Sequence, residues 1–187
     1  MNASSTPETV FAPRERPVWL VVALSLVSFG LYTTLWIGLS WAELKRERGD
    51  PRMHPWWHAL GFTLPVYGWF RALIHFRLLN EMLERVHSPR LVVPWAAFAV
   101  NALADVLALS SYAPASEPVR FIRSLSAAIL LAGLAGEGQA GLNAYWRAAY
   151  GAVPRRPYPL EIAALLLGAI VFGSAFAGLL SGGIASP

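Results

Sequence analysis

Asp105 lies near the middle of an apolar stretch from Leu91 to Ala113, with Asn101 one helical turn before it and Tyr112 two turns after it. At helical spacing the three share one face. A carboxylate placed in hydrocarbon costs at least about 2.5 kcal/mol by insertion scales, so it needs a partner or water. Three situations fit: a proton or cation site, an Asp held by Asn101 and an Arg of a neighbouring helix as glue between helices, or an Asp near a water-filled dip. Glu137 is a second such carboxylate, set among Gly133, Gly136, Gly138 and Gly141. Gln139, Asn143 and Arg147 follow at four-residue intervals, a polar ridge along one helix face. The glycines allow close backbone approach, so packing is the plain reading of this stretch and a substrate path the sharper one.

Other chemistry is scarce. All four histidines fall between His54 and His87, and His54 and His58 have the i,i+4 spacing of a metal pair. Pro55 stands where a zinc-protease motif needs Glu, and no carboxylate follows before Glu81, so no metal or cofactor is expected. The chain carries no Ser elbow, Walker loop or dinucleotide fingerprint. No nucleophile and base can be paired by spacing, and an enzyme is not expected. With no cysteine, disulfide scaffolds and thiolate metal sites are excluded.

The elements that must carry these residues follow from the charge map. Charged residues make up 14% of the 187 positions, against about 25% in ordinary soluble domains. Pro17 to Ala42 and Ile162 to Pro187 carry no formal charge at all. About 20 apolar residues cross a bilayer as a helix, so both are membrane-spanning candidates. Three further apolar segments lie between them, and the fold class expected is an all-α polytopic membrane protein. Its five hydrophobic helices are placed near 18–48, 55–87, 91–113, 119–150 and 159–181, of which four or five span. A soluble bundle would need a charged face at period 3.6, which Val18 to Trp41 lacks. The first apolar run is too long for a signal peptide and leads into Trp41, Glu43 and Lys45, so it should stay attached. Residues 1–17, with Pro7, Pro13 and Pro17 among Ser, Thr and Glu, read as a mobile tail ahead of a single helical domain over 18–187.

The first helix is expected to end at Gly49-Asp50-Pro51, and the second to kink at Pro65. That second helix is ambiguous, because its charge-free stretch is short before Arg71, His75 and Arg77. The positive-inside rule favours its lying in the interface or re-entering, whereas its apolar length argues for a crossing. Phe29-Gly30-Leu31-Tyr32 and Leu64-Pro65-Val66-Tyr67, 35 residues apart, form a short internal echo that places a helix-loosening residue two before a Tyr.

A net charge of +4 raises the question of nucleic acid, but 14 Arg and one Lys are spread over every loop without a concentrated arm. Orientation in the membrane and attraction to lipid headgroups account for them, and no nucleic-acid partner is expected. Trp19, Trp41, Trp56, Trp57, Trp95 and Trp146 fall near helix ends, as in an interfacial aromatic belt.

The run Val27-Ser28-Phe29-Gly30-Leu31-Tyr32-Thr33-Thr34-Leu35-Trp36, followed by Trp41-Ala42-Glu43-Leu44, resembles bacterial membrane proteins of the domain of unknown function 4234 family. Those begin with an apolar helix bearing Thr-Phe-Gly-x-Tyr-x-x-x-Trp and then a short polar helix; here Ser28 replaces the Thr. Gly49 to Arg77 is similar to the portion that follows, and Gln139, Asn143, Tyr145, Trp146 and Arg147 to a later signature of longer members. The resemblance implies a helical, multi-pass protein of a bacterial cytoplasmic membrane and supplies no activity or catalytic residue.

The reading expected from these residues is a small non-enzymatic membrane protein acting as an interaction or scaffold module. Its partners would be the lipid bilayer and a membrane protein or a second copy. The contact surface would be an inner-face segment containing Arg46, Arg48, Arg52, Trp56, Trp57, His58, Arg71 and Arg77. The alternative is a small transporter or channel subunit with Asn101, Asp105 and Glu137 as its polar path.

Overall fold

The structure is a computed structural model that describes residues 15–182. Seven helices follow in order: α1 (Val18–Val27), α2 (Leu31–Arg48), α3 (Pro55–Phe62), α4 (Tyr67–Arg85), α5 (Pro94–Ser110), α6 (Glu117–Tyr150) and α7 (Pro159–Gly182). No strand occurs among the described residues; Glu15 and Pro154 form one isolated bridge. The last three helices fall within a few residues of the expected segments.

The first two do not. The segment expected as one helix over 18–48 is two helices folded back on each other. Ser28 and Phe29 close the end of α1, and the Gly30 N–H donates to the Ser25 carbonyl at 2.7 Å, with Gly30 left-handed at φ 89°. A straight helix would hold Arg16 and Glu43 about 40 Å apart. Instead their side chains pair at 2.7 Å. A lone Gly in an apolar run costs a helix only about 1 kcal/mol, so the sequence gives little notice of a reversal. What holds it is α6, because the Leu131 side chain packs into the space where a Gly30 side chain would stand.

The kink expected at Pro65 is likewise a full reversal. Thr63 to Val66 break the chain between α3 and α4, with Val66 at φ 66°. His58 of α3 and His75 of α4 both lie against the Trp41 ring, at 4.0 and 5.5 Å between centroids. In one straight helix they would be about 25 Å apart. The echo between Phe29–Tyr32 and Leu64–Tyr67 thus falls on two matching turns, and α1–α2 and α3–α4 are successive helical hairpins.

Both hairpins are hung from one end of the bundle. There Arg48 pairs with Glu81 at 2.5 Å, joining the ends of α2 and α4, and Arg90 pairs with Glu137 at 2.7 Å, joining the α4–α5 loop to α6. Asn80 brackets that loop, donating to the Val92 carbonyl at 2.6 Å and accepting from the Val92 N–H at 2.9 Å. Arg155 pairs with Glu161 at the same end, and that carboxylate pushes the Arg155 pKa above its ordinary value. The hairpin turns point the other way, where Phe29 stacks on Phe172 at 5.3 Å and meets Phe121 edge-on.

The core sits where the hairpins meet α6, around Trp36, Ile37, Phe76, Leu79, Leu142 and Trp146, all essentially buried. Close packing there depends on small residues of α6. A side chain at Gly138 would run into the Trp36 ring, and one at Gly141 into Leu79. This is the close approach expected of the glycine stretch.

Among the described residues two helices, α6 and α7, are long and apolar enough to cross a membrane. α7 touches the rest of the molecule mainly along one side, where Gly168 accepts Val27. Leu166, Leu167, Ile170 and Val171 are 57–67% exposed on it.

Candidate functional site

The polar ridge of α6 is brought into one cluster, and its partners come from a stretch expected to be a mobile tail. Positions 1–14 of that tail lie outside the described residues, but Glu15 to Pro17 are held fast. Gln139, Asn143 and Arg147 face them at four-residue spacing. The Arg16 N–H donates to Asn143 Oδ1 at 3.2 Å, and Asn143 Nδ2 donates to the Arg16 carbonyl at 2.7 Å. Gln139 Oε1 accepts from Arg16 Nη1 at 3.1 Å and from Trp36 Nε1 at 2.8 Å, while its Nε2 donates to Asn143 Oδ1. Arg147 grips the buried Glu15 carboxylate with two bonds of 2.6 Å each. Above this cluster, Glu47 of α2 accepts from Tyr145 and Tyr150. The cluster is a clasp: it closes the chain around both ends of the α1–α2 hairpin, with Glu15 paired to Arg147, Glu43 to Arg16, and Glu47 held by the two tyrosine hydroxyls.

The remaining intramembrane candidates do not join it. Asp105 Oδ2 accepts from Trp69 Nε1 of α4 at 2.7 Å, and among the described residues no Lys or Arg pairs with it. The expected alternative, an Asp held by Asn101 and an Arg, is therefore not what forms. Asn101 is 1% exposed, and neither polar atom of its amide has a hydrogen-bond partner. Tyr112 lies out in the open beyond the end of α5. Glu137 belongs elsewhere again: with Arg90 it closes one end of a groove of about 390 Å³ between α5 and α6.

Because Asp105 is bound only through a neutral donor, Asp105→Asn keeps an acceptor for Trp69 and is expected to leave stability within about 0.5 kcal/mol. Asp105→Leu strands the indole N–H and is expected to cost about 1–3 kcal/mol. Thermal denaturation in detergent distinguishes the two; equal losses would mean that the hydrogen bond is not what Asp105 contributes.

Four of the residues expected on the contact face make contacts with the body of the protein that bear on its packing. Arg48 pairs with Glu81, His58 stacks on Trp41, Arg71 lies over the Tyr67 ring at 4.7 Å, and Arg77 lies over Trp95 at 5.6 Å. Arg46, Arg52, Trp56 and Trp57 are exposed, with Trp57 outermost at 72%. Trp56 also turns its ring edge onto Gly38, fixing α3 against α2.

Sequence reasoning missed His75 as a structural centre. It is completely buried between Trp36, Trp41 and Phe76, with Nε2 3.4 Å from Ser40 Oγ and no partner at Nδ1. Its neighbours come from α2 and α4, so no local spacing could have found them. Among the described residues no three His, Asp or Glu side chains converge as a metal site would require.

Comparison with protein-family models, with curated proteins and with solved structures finds no match for this chain.

Proposed function

We propose that this chain is a small, non-enzymatic integral membrane protein in which α5, α6 and α7 cross the bilayer. In this reading α1–α2 and α3–α4 are re-entrant hairpins dipping in from the cytoplasmic side, and the protein serves as an interaction module. The observation that carries the reading is the separation of apolar and basic surface. Exposed Leu, Ile and Val side chains on α7 have no cover in water, and contiguous apolar area of this kind marks a lipid or partner surface. Arg16, Lys45, Arg46, Arg48, Arg52, Arg85, Arg90, Arg147, Arg155 and Arg156 gather at the end from which the hairpins hang, whereas Arg120 and Arg123 stand beside the opposite α5–α6 turn. Two hairpins that return to their starting side make this imbalance larger than five crossings would. By the positive-inside rule the basic end is cytoplasmic.

The module's contact face is then the most exposed part of that end, where Arg52, Trp56 and Trp57 stand with Arg46 beside them. Exposed Trp and Arg are the residue types that carry most binding energy at interfaces, and both also suit lipid headgroups. A bacterial cytoplasmic membrane is the setting implied by the resemblance of the segment around Phe29 to Trp36. Transport is the weaker reading, because Glu137, Asp105 and Gln139 each belong to a separate set of contacts.

The chain's lack of cysteine makes the test direct. With Asp50→Cys, Ser88→Cys and Ala115→Cys introduced singly, an impermeant maleimide applied to intact cells should label only the third. Outside labelling at position 50 would overturn the re-entrant arrangement. Crosslinking from Arg52 or Trp57 should yield one discrete product that Trp57→Ala and Arg52→Ala abolish; products unaffected by both changes would remove this face from the function.

A further inference from the structure

We propose that the groove between α5 and α6 holds one acyl chain of an aminophospholipid, with Arg90 and Glu137 receiving the phosphate and the primary ammonium of its headgroup. This rests on the membrane reading above and goes beyond it to a specific lipid class. The groove is lined by Val93 just ahead of α5, by Ala97 and Val100 of α5, and by Ile129, Gly133 and Leu134 of α6. At about 390 Å³ it falls within the range of small-molecule sites. Its floor is apolar, and its charged residue Glu137 stands where α6 approaches the basic end, so a lipid would enter with its head at the surface and its tail in the core.

The choice of occupant comes from charge complementarity at the mouth. Arg90 and Glu137 form a surface pair at 2.7 Å with side chains 39% and 48% exposed, presenting both signs side by side. The pair uses Nη2 of Arg90, and a guanidinium carries five N–H donors in all. A phosphodiester supplies anionic acceptors for the guanidinium, and a primary ammonium supplies N–H donors for the carboxylate, both charge-assisted. A choline headgroup has the same charges but no N–H to give, and a glycerol headgroup has no cation. The groove also has room for a tail: a side chain added at Gly133 would meet nothing within 4 Å.

Native mass spectrometry of the full chain in mild detergent tests this with phosphatidylethanolamine, phosphatidylcholine and phosphatidylglycerol of identical acyl chains. Phosphatidylethanolamine should bind as a single adduct about tenfold more tightly than the other two, the size expected of a charge-assisted hydrogen bond. Glu137→Gln should abolish the preference over phosphatidylcholine. Gly133→Phe, which fills open space and replaces a poor helix former, should suppress the adduct of all three lipids while leaving thermal stability without lipid intact. Equal binding of the three lipids by the parent protein, or an ethanolamine adduct unchanged by Gly133→Phe, would overturn the proposal. So would a dimer that Gly133→Phe dissociates, since the groove would then be covered by a second copy. These readouts come from solubilised protein, so they can fail while the cysteine labelling holds, and the reverse.

Discussion

Gly30→Val is expected to cost about 2–5 kcal/mol. Two terms add. A β-branched residue forced to φ 89° pays about 1–2 kcal/mol of backbone strain. Its new side chain must also displace the Leu131 methyl that occupies the site, and overpacking of this kind costs about 1–3 kcal/mol. The measurement is thermal or denaturant unfolding in detergent, paired with the accessibility of a cysteine at position 50. Gly49→Val is the control: that glycine is also left-handed, at φ 63°, but nothing lies within 4 Å of where its side chain would stand. It should show the strain term alone. If the two variants lose equal stability, packing against α6 does not hold the turn.

Gln139→Leu is expected to cost about 2–4 kcal/mol. One carbonyl oxygen accepts from both the Trp36 indole and the Arg16 guanidinium, and the amide nitrogen donates to Asn143. Leu is nearly the same size, so the loss is almost entirely that of buried donors left without acceptors, about 1–3 kcal/mol each and more for a charged one. Trp36→Phe alone removes a donor and also shrinks the ring that fills the space over Gly138. Combined with Gln139→Leu it should lose less than the sum of the two single changes, because one orphan has been removed. A double-mutant cycle reads that difference, expected at about 1 kcal/mol or more. Strict additivity would show that the two side chains are not coupled.

What the sequence made legible is what depends on local pattern. The all-helical class and the approximate ends of α5, α6 and α7 followed from the length of the apolar segments. The ridge of Gln139, Asn143 and Arg147 was visible because its period is that of one helix. The reversals were not, although both turn motifs could be seen as an echo. A glycine in an apolar run and a proline at mid-helix are each compatible with a bend, and only contacts from Leu131 and Trp41 turn the bends into hairpins. The clasp was hidden for the same reason. Glu15 and Arg16 sit in a Pro-rich, polar stretch, and their partners on α6 are over 120 residues away in the chain. The His75 centre combines both difficulties, since it needs the two hairpins already side by side.

The order of synthesis gives the clasp a further meaning. Trp36 is made 103 residues before Gln139. At about 5–20 residues per second its indole waits roughly 5–20 s for an acceptor. By the end of that interval the α1–α2 and α3–α4 hairpins have been made with no α6 to lean on, and the carboxylate of Glu15 still has no arginine from α6. Biogenesis of this protein therefore has a late, all-or-none closing step set by the emergence of α6. Nascent chains arrested before Asn143 should stay sensitive to protease over residues 15–48, and those released after Tyr150 should resist it.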